Sequence, residues 1–231
     1  MRAPLKTQDF CSDSRRSAFG GLNRSLPVRK IFVTGIGTGI GKTLVSAILT
    51  QALKADYWKP VQCGEIENTD SMKVRALLTN TGSFIHPESY RFKAFMSPHA
   101  AARMENIEID MKNIHIPDTK NNNMVIEGAG GLMVPLNENH LVIDLINYLE
   151  AEAILVVQNY LGSINHTLLS AEALARRKIK TTGVIFNGEP VNSSEEIILK
   201  YTGLKCLGRI SREPVLDKAV INKYSRQFIN L

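Results

Sequence analysis

Apolar residues along this chain fall into short runs, separated by stretches where they recur at helical spacing. Ile31-Phe32-Val33 is a β-prone run, and Leu44, Val45, Ile48, Leu49 and Leu53 follow at helical spacing. Between them lies Thr34-Gly35-Ile36-Gly37-Thr38-Gly39-Ile40-Gly41-Lys42-Thr43. The pattern predicts a strand, a glycine-rich turn and the start of a helix. Met124-Val125-Ile126-Glu127 predicts a buried strand ending in a carboxylate, ahead of Gly128-Ala129-Gly130-Gly131. Ala153–Val157 predicts another, followed by a helix that opens at Gly162-Ser163-Ile164-Asn165-His166, with Ser163 a natural N-cap. Thr182–Asn187 and Cys206–Ile210 read as further strands. Tyr57-Trp58 is a short strand that Pro60 and Gly64 end in a loop. Asp70, an N-cap or first-turn carboxylate, precedes a helix-like Met72–Leu78, and residues 81–123 show no clear period. Strands alternating with helices predict an α/β fold, a doubly wound and mostly parallel sheet in a single domain.

Composition adds little to this outline, and charge adds one boundary. The 231 residues are 44% hydrophobic and 22% charged, ordinary for a soluble globular domain. No apolar run approaches the ~20 residues of a membrane span, so no membrane partner is expected. Cys11, Cys63 and Cys206 are too far apart for a disulfide framework or a metal pair, which fits a reducing cytoplasm. His86, His99 and His115 share no metal-ligand spacing. The net charge of +6 would suggest nucleic acid, but four of those charges belong to residues 1–29. These residues are polar, contain Ser, Arg and Gly, and lack periodicity. They are expected to form a disordered basic tail, either a leader or a start-site extension, with an Arg/Ser-rich transit peptide as the alternative. The body, residues 30–231, carries no basic excess that calls for nucleic acid.

The glycine-rich turn supplies the chemistry. Backbone N–H groups at a helix's amino end lack partners and the helix dipole favours an anion, so the turn forms a phosphate cradle. Gly37, Gly39 and Gly41 let the backbone approach the phosphates. In such loops the lysine, here Lys42, reaches the β- and γ-phosphates, and the hydroxyl, here Thr43, ligates Mg²⁺. The usual spacing would put glycine at position 36; Ile36 stands there, and Gly35 is one residue earlier. Glu127, at the end of a second strand, has a role like Walker B, bonding the Mg²⁺ shell; the alternative is a strand-ending acid at a tight turn. Lys59 follows the Tyr57-Trp58 strand, on the edge where open α/β sheets bind ligands; a solvated surface lysine is the alternative.

ATP or GTP binding leaves several classes open. GTPases usually carry Asn-Lys-x-Asp, whereas Asn187 is followed by Gly188-Glu189-Pro190. Partitioning and septum-site ATPases carry a signature lysine where Gly37 stands. Amidating ligases of the cobyrinate type append a glutaminase domain, for which the stretch up to Leu231 leaves no room. An ATP-switched partner-binding protein is a non-enzyme alternative.

Taken in order, the phosphate loop, Trp58-Lys59-Pro60-Val61, Asn68-Thr69-Asp70, Ser97-Pro98-His99, Val125–Gly131, Leu161–His166 and Phe186-Asn187 resemble the dethiobiotin synthetase family. The resemblance runs from Lys30 to about Ile210. It implies a phosphate-loop NTPase fold and ATP-dependent closure of a cyclic urea: 7,8-diaminononanoate, CO₂ and MgATP give dethiobiotin, ADP and phosphate. Lys59, Lys42 and Thr38 are then the catalytic residues. ATP would bind at Gly37, Thr38, Gly39, Ile40, Gly41, Lys42, Thr43, Leu44, Asp70, Glu127, Gly128, Ala129, Gly130, Asn187 and Gly188. Cys63, Ser97, Gly130, Gly131, Ser163 and Asn165 would contact the diamine, and Thr43, Asp70 and Glu127 the Mg²⁺. The resemblance also implies a homodimer with shared active sites. Departures from the family are Gly37 and Gly39, where acidic residues are common, and Cys63, where serine or threonine is usual. Gly208-Arg209-Ile210-Ser211-Arg212 replaces a glycine–acid–isoleucine–proline segment.

Overall fold

The computed structural model describes residues 27–231. Residues 1–26, which make up most of the expected basic tail and include Cys11, lie outside the described residues. The first strand, β1 (Arg29–Gly35), begins at Arg29, one residue before the expected boundary. Arg29 pairs with Glu152 and donates from Nη1 to the Leu231 carbonyl at 2.6 Å.

β1 leads through the glycine-rich turn into α1 (Lys42–Leu53). Then come β2 (Asp56–Trp58), β3 (Val61–Cys63), α2 (Asp70–Leu77), β4 (Tyr90–Phe92) and α3 (Pro98–Met104). The second half is β5 (Asn123–Glu127), α4 (Val142–Tyr148), β6 (Glu152–Gln158), α5 (Ser163–Arg176), β7 (Thr181–Asn187), α6 (Asn192–Thr202), β8 (Cys206–Ile210) and α7 (Lys218–Ser225). Six strands form one parallel sheet in the order β2-β5-β1-β6-β7-β8. Strand alternation sorts the central side chains between two layers. Ile31 and Val33 pack with α1, α2 and α7, while Phe32 packs with Met124, Ile126 and α4 on the other face. Helices therefore cover both faces, as a parallel sheet with apolar runs requires.

Register brings the functional segments to one edge. Val33 lies opposite Glu127 and Trp58 opposite Ile126, so Lys59, Glu127 and the phosphate loop all emerge at the strands' carboxyl ends.

Two local expectations change. The loop expected between Pro60 and Gly64 is the strand β3, which pairs in parallel with β4 in a separate two-stranded sheet. Its partner is remote in sequence, and each strand is three residues long, too short to show a period. The aperiodic stretch 81–123 thus resolves into β4, α3 and a 3₁₀ turn at Met111–Asn113. The N-cap of α5 is Gly162, at φ 100°, and Ser163 is the first helical residue. Glycine adopts that left-handed conformation without strain, so the polar side chain is not used as the cap. Thr69 caps α2 by accepting from Met72 N at 3.2 Å, which leaves the first-turn Asp70 carboxylate free for other partners.

Candidate active site

The phosphate loop is shaped by a close approach at its end. Gly41 caps α1 at φ 93°, and a Cβ added there would lie 2.1 Å from Asn187 Nδ2. Asn187 Nδ2 donates to the Ile40 carbonyl at 2.8 Å, so the carboxyl end of β7 props the loop from beneath. Lys42 Nζ folds back onto the Gly37 carbonyl at 2.8 Å. Burial pushes the Lys42 ammonium down to about 8, although Glu127 works in the opposite direction.

A chain of ionic contacts runs from the loop to α2. The Thr43 hydroxyl donates to Glu127 Oε1 at 2.8 Å, and the Tyr57 hydroxyl donates to Glu127 Oε2 at 2.9 Å. Lys59 Nζ lies 3.3 Å from Glu127 Oε1 and also pairs with Asp70 Oδ2. Lys73 Nζ stands 3.4 Å from Asp70 Oδ1 and pairs with Glu65. Burial alone would lower the Lys59 ammonium, but Glu127 and Asp70 outweigh it and hold it above its ordinary value. Burial likewise opposes ionisation of Asp70, and Lys59 overcomes this to hold the carboxyl below its ordinary range. Lys59 and Glu127 are 5% and 1% exposed, so this is a buried cationic group balanced by carboxylates, not a surface charge.

These groups floor a cleft of about 540 Å³. Of the residues expected from the sequence, Thr38, Gly39, Gly41, Lys42, Thr43, Lys59, Cys63, Asp70, Ser97, Glu127, Ala129 and Gly130 line it. Burial pushes the Cys63 thiol up to about 11, so it faces the cleft protonated. Gly130 adopts φ 67°, and a Cβ there would meet Val134 Cγ2 at 2.8 Å, beside the Thr38 hydroxyl. Gly131 lies against Gly37.

Other expected residues sit elsewhere. The Ile40 side chain is buried against Gly35, Leu44 packs into the core around α1, and Gly128 abuts the Phe32 ring. Ile40 is thereby closed off by its side-chain packing, whereas Leu44 remains half-buried. Gly188 N donates to the Ile210 carbonyl at 2.8 Å, tying it to β8. Ser163 is buried and Asn165 exposed at the start of α5, and neither lines the cleft of its own chain.

Sequence reasoning missed Gln62, Glu65, Lys73, Phe95, Met96 and Val134, all of which line the cleft, and Tyr57 beneath Glu127. Lys73 is three residues beyond Asp70 on α2, a spacing that brings side chains together on a helix. Phe95 and Met96 belong to the aperiodic stretch and gave no signal.

Two carboxylates and one hydroxyl at a phosphate loop form a set of hard oxygen donors suited to Mg²⁺, which takes its remaining ligands from phosphate and water. Among the described residues no group of three or more His, Cys, Asp or Glu gathers to hold a metal alone.

Known proteins match along most of the chain. A family model described as an AAA domain matches residues 29–220. The chain is 54% identical to the ATP-dependent dethiobiotin synthetase BioD of Cytophaga hutchinsonii, over 86% of this chain and 96% of that one. It is 50% identical to the protein of the same name from Christiangramia forsetii, over 87% and 96%. Among solved structures, the septum site-determining protein MinD of Pyrococcus horikoshii, complexed with Mg-ADP, superposes with a TM-score of 0.58 at 18% identity, covering 87% of this chain and 93% of that one. A ParA family ATPase from Chlorobium tepidum gives 0.54 at 12% identity, over 87% and 97%. At such identities these structures share the fold alone. By its similarity to the BioD proteins over nearly their whole length, the chain belongs to the ATP-dependent dethiobiotin synthetase family.

Proposed function

We propose that this ligase converts 7,8-diaminononanoate, CO₂ and MgATP to dethiobiotin, ADP and phosphate, using the cleft between the phosphate loop and Lys59. One observation carries the assignment: Lys42, Lys59, Thr43, Asp70 and Glu127 converge at the carboxyl ends of β1, β2 and β5. One amine takes up CO₂ as a carbamate, whose oxygen attacks the γ-phosphorus as ADP leaves. The second amine then attacks the carbonyl carbon of the mixed anhydride, and phosphate departs as the cyclic urea closes. A carbamate beside a polyanion needs positive charge where charge develops. Lys59 supplies it to the carbamate, Lys42 to the transferring phosphoryl group, and Thr38 donates to a reacting oxygen. Thr43, Asp70 and Glu127 would hold Mg²⁺, which when bound neutralises charge on the β- and γ-oxygens. Ser97 and Cys63 face the diamine, and Gly37, Gly39, Gly41, Ala129 and Gly130 face the nucleotide. Asn187 supports nucleotide binding by holding the Ile40 carbonyl.

The test is phosphate release with and without diaminononanoate and bicarbonate. Release that needs both supports the ring closure. Release indifferent to the diamine would instead favour an ATP-switched binding protein.

The second subunit enters through α5. Ser163 and Asn165 lie outside their own cleft, while Leu161 beside them is fully exposed and Leu169 is 57% exposed. A homodimer in which this helix start receives the substrate's tail carboxylate in the partner's cleft accounts for both facts. Lys59→Ala and Asn165→Ala should each be poorly active alone. Mixed with full subunit exchange, they should regain about a quarter of wild-type activity, because half the dimers are hybrids with one intact site. No regain after verified exchange would place the whole site in one subunit. A cytoplasmic location fits the free thiols of Cys63 and Cys206. Among the described residues no helix is long and apolar enough to cross a membrane.

A further inference from the structure

We propose that Tyr57 is a positioning residue for Glu127: its hydroxyl holds Oε2 so that Oε1 faces the phosphate loop whatever occupies the cleft. The proposal rests on the assignment of Glu127 to the Mg²⁺ shell made above.

Glu127 is 1% exposed, so each of its oxygens needs a partner. Oε1 has two, the Thr43 hydroxyl at 2.8 Å and Lys59 Nζ at 3.3 Å. Both partners have other duties once the cleft is loaded, Thr43 toward the metal and Lys59 toward the carbamate. Oε2 accepts from the Tyr57 hydroxyl at 2.9 Å, a contact made below the cleft and independent of its contents. An ionised carboxylate only accepts, so the phenol is the donor.

The phenol is itself held firmly. Tyr57 is fully buried, in the layer shared with Ile31, Val33, Val125 and α1. Its backbone N donates to the Phe84 carbonyl and its carbonyl accepts from His86 N, each at 2.9 Å. It lies opposite Val125 on β5, two residues before Glu127. Tyr57 does not line the cleft, so it touches neither nucleotide nor substrate and acts only through Glu127. Outer partners that orient a metal-binding carboxylate typically contribute 10–100-fold to metal affinity, because without them the carboxylate rotates away from the productive direction.

The test compares Tyr57→Phe, Glu127→Gln and the double variant by calorimetric titration of Mg²⁺ into the full-length protein with ADP. Tyr57→Phe should raise the Mg²⁺ midpoint about 10-fold or more. Added to Glu127→Gln, it should do nothing further, whereas a merely structural role would give an additive loss. Replacing Tyr57 with 4-aminophenylalanine, which restores a donor, should return the midpoint toward wild type, and size-matched 4-fluorophenylalanine should not. That pair makes the same comparison if Tyr57→Phe fails to fold. If Glu127→Gln shifts the midpoint and the donor-less Tyr57 variants do not, the role of Tyr57 is overturned while that of Glu127 stands. If Glu127→Gln shifts nothing, the Glu127 assignment itself is wrong, and the role of Tyr57 goes with it.

Discussion

Replacing Lys59 with methionine should damage both the chemistry and the fold. From sequence alone, Lys59→Ala is expected nearly to abolish turnover and to leave the fold intact. The structure changes the second half of that expectation, because Lys59 Nζ is the cation shared by Asp70 and Glu127, at 18% and 1% side-chain exposure. Removing one partner of a buried ion pair costs about 3–5 kcal/mol, since the remaining charge is left uncompensated. Here the lower end applies. Glu127 keeps the Thr43 and Tyr57 hydroxyls, and Asp70 keeps Lys73 at 3.4 Å. A loss of about 3 kcal/mol corresponds to a fall in melting temperature of roughly 6–12 °C for a domain of this size. The pH dependence has a definite sign. Lys59 overcomes the burial of the Asp70 carboxyl and holds it below its ordinary 3.8, so the stabilisation from that pair is full above this value and is lost as pH falls through the lower folded value, where wild type and variant should converge. Mg²⁺ with ADP supplies a replacement cation and should raise the variant's melting temperature more than the wild type's. Turnover should drop by ~10²–10³, the usual cost of losing an electrostatic group that acts on the transition state. Thermal melts at pH 7 and in acid below the ordinary Asp70 value, with and without Mg-ADP, give the answer. A variant melting within about 2 °C of wild type at pH 7 without ligand would refute the reasoning, since that is under about 1 kcal/mol.

Gly41→Ala would place a Cβ 2.1 Å from Asn187 Nδ2 at φ 93°, so the Asn187–Ile40 prop must yield. ATP affinity measured by calorimetry should fall about tenfold or more, from strain of roughly 1–3 kcal/mol in the cradle; an unchanged affinity would contradict this account of the loop. Arg29→Met should destabilise the fold by about 1–2 kcal/mol at pH 7, by loss of its charged contacts to Glu152 and the Leu231 carbonyl. Burial opposes ionisation of Glu152, but Lys180 and Arg29 hold its carboxyl below the ordinary 4.5. That stabilisation is present above pH 4.5 and lost as pH falls through the lower folded value, so wild-type and variant denaturation midpoints should converge in acid. Equal midpoints at pH 7 would show that Arg29 contributes nothing.

What the sequence determined by itself is what neighbouring residues write together. The strand-turn-helix from Ile31 to Leu53, the apolar runs of β5, β6 and β7 and the phosphate cradle are contiguous, so period and glycine spacing reveal them directly. Their alternation with helical stretches was enough to imply a parallel, doubly wound sheet. Tertiary structure decided whatever depends on partners far along the chain. Nothing local distinguishes Lys59 from a surface lysine; the pairing of β2 with β5 sets it against Glu127, and α2 brings Asp70 to its other side. β3 and β4 were invisible because three-residue strands carry no period, and each pairs only with the other, far away in sequence. The cap of α5 went to Gly162 rather than Ser163 because backbone conformation, which polarity does not encode, chose it. Tyr57 reads in the sequence as one apolar residue of a short strand. Only the parallel pairing of that strand with β5 turns its hydroxyl toward a buried carboxylate, where an unpaired oxygen would be costly.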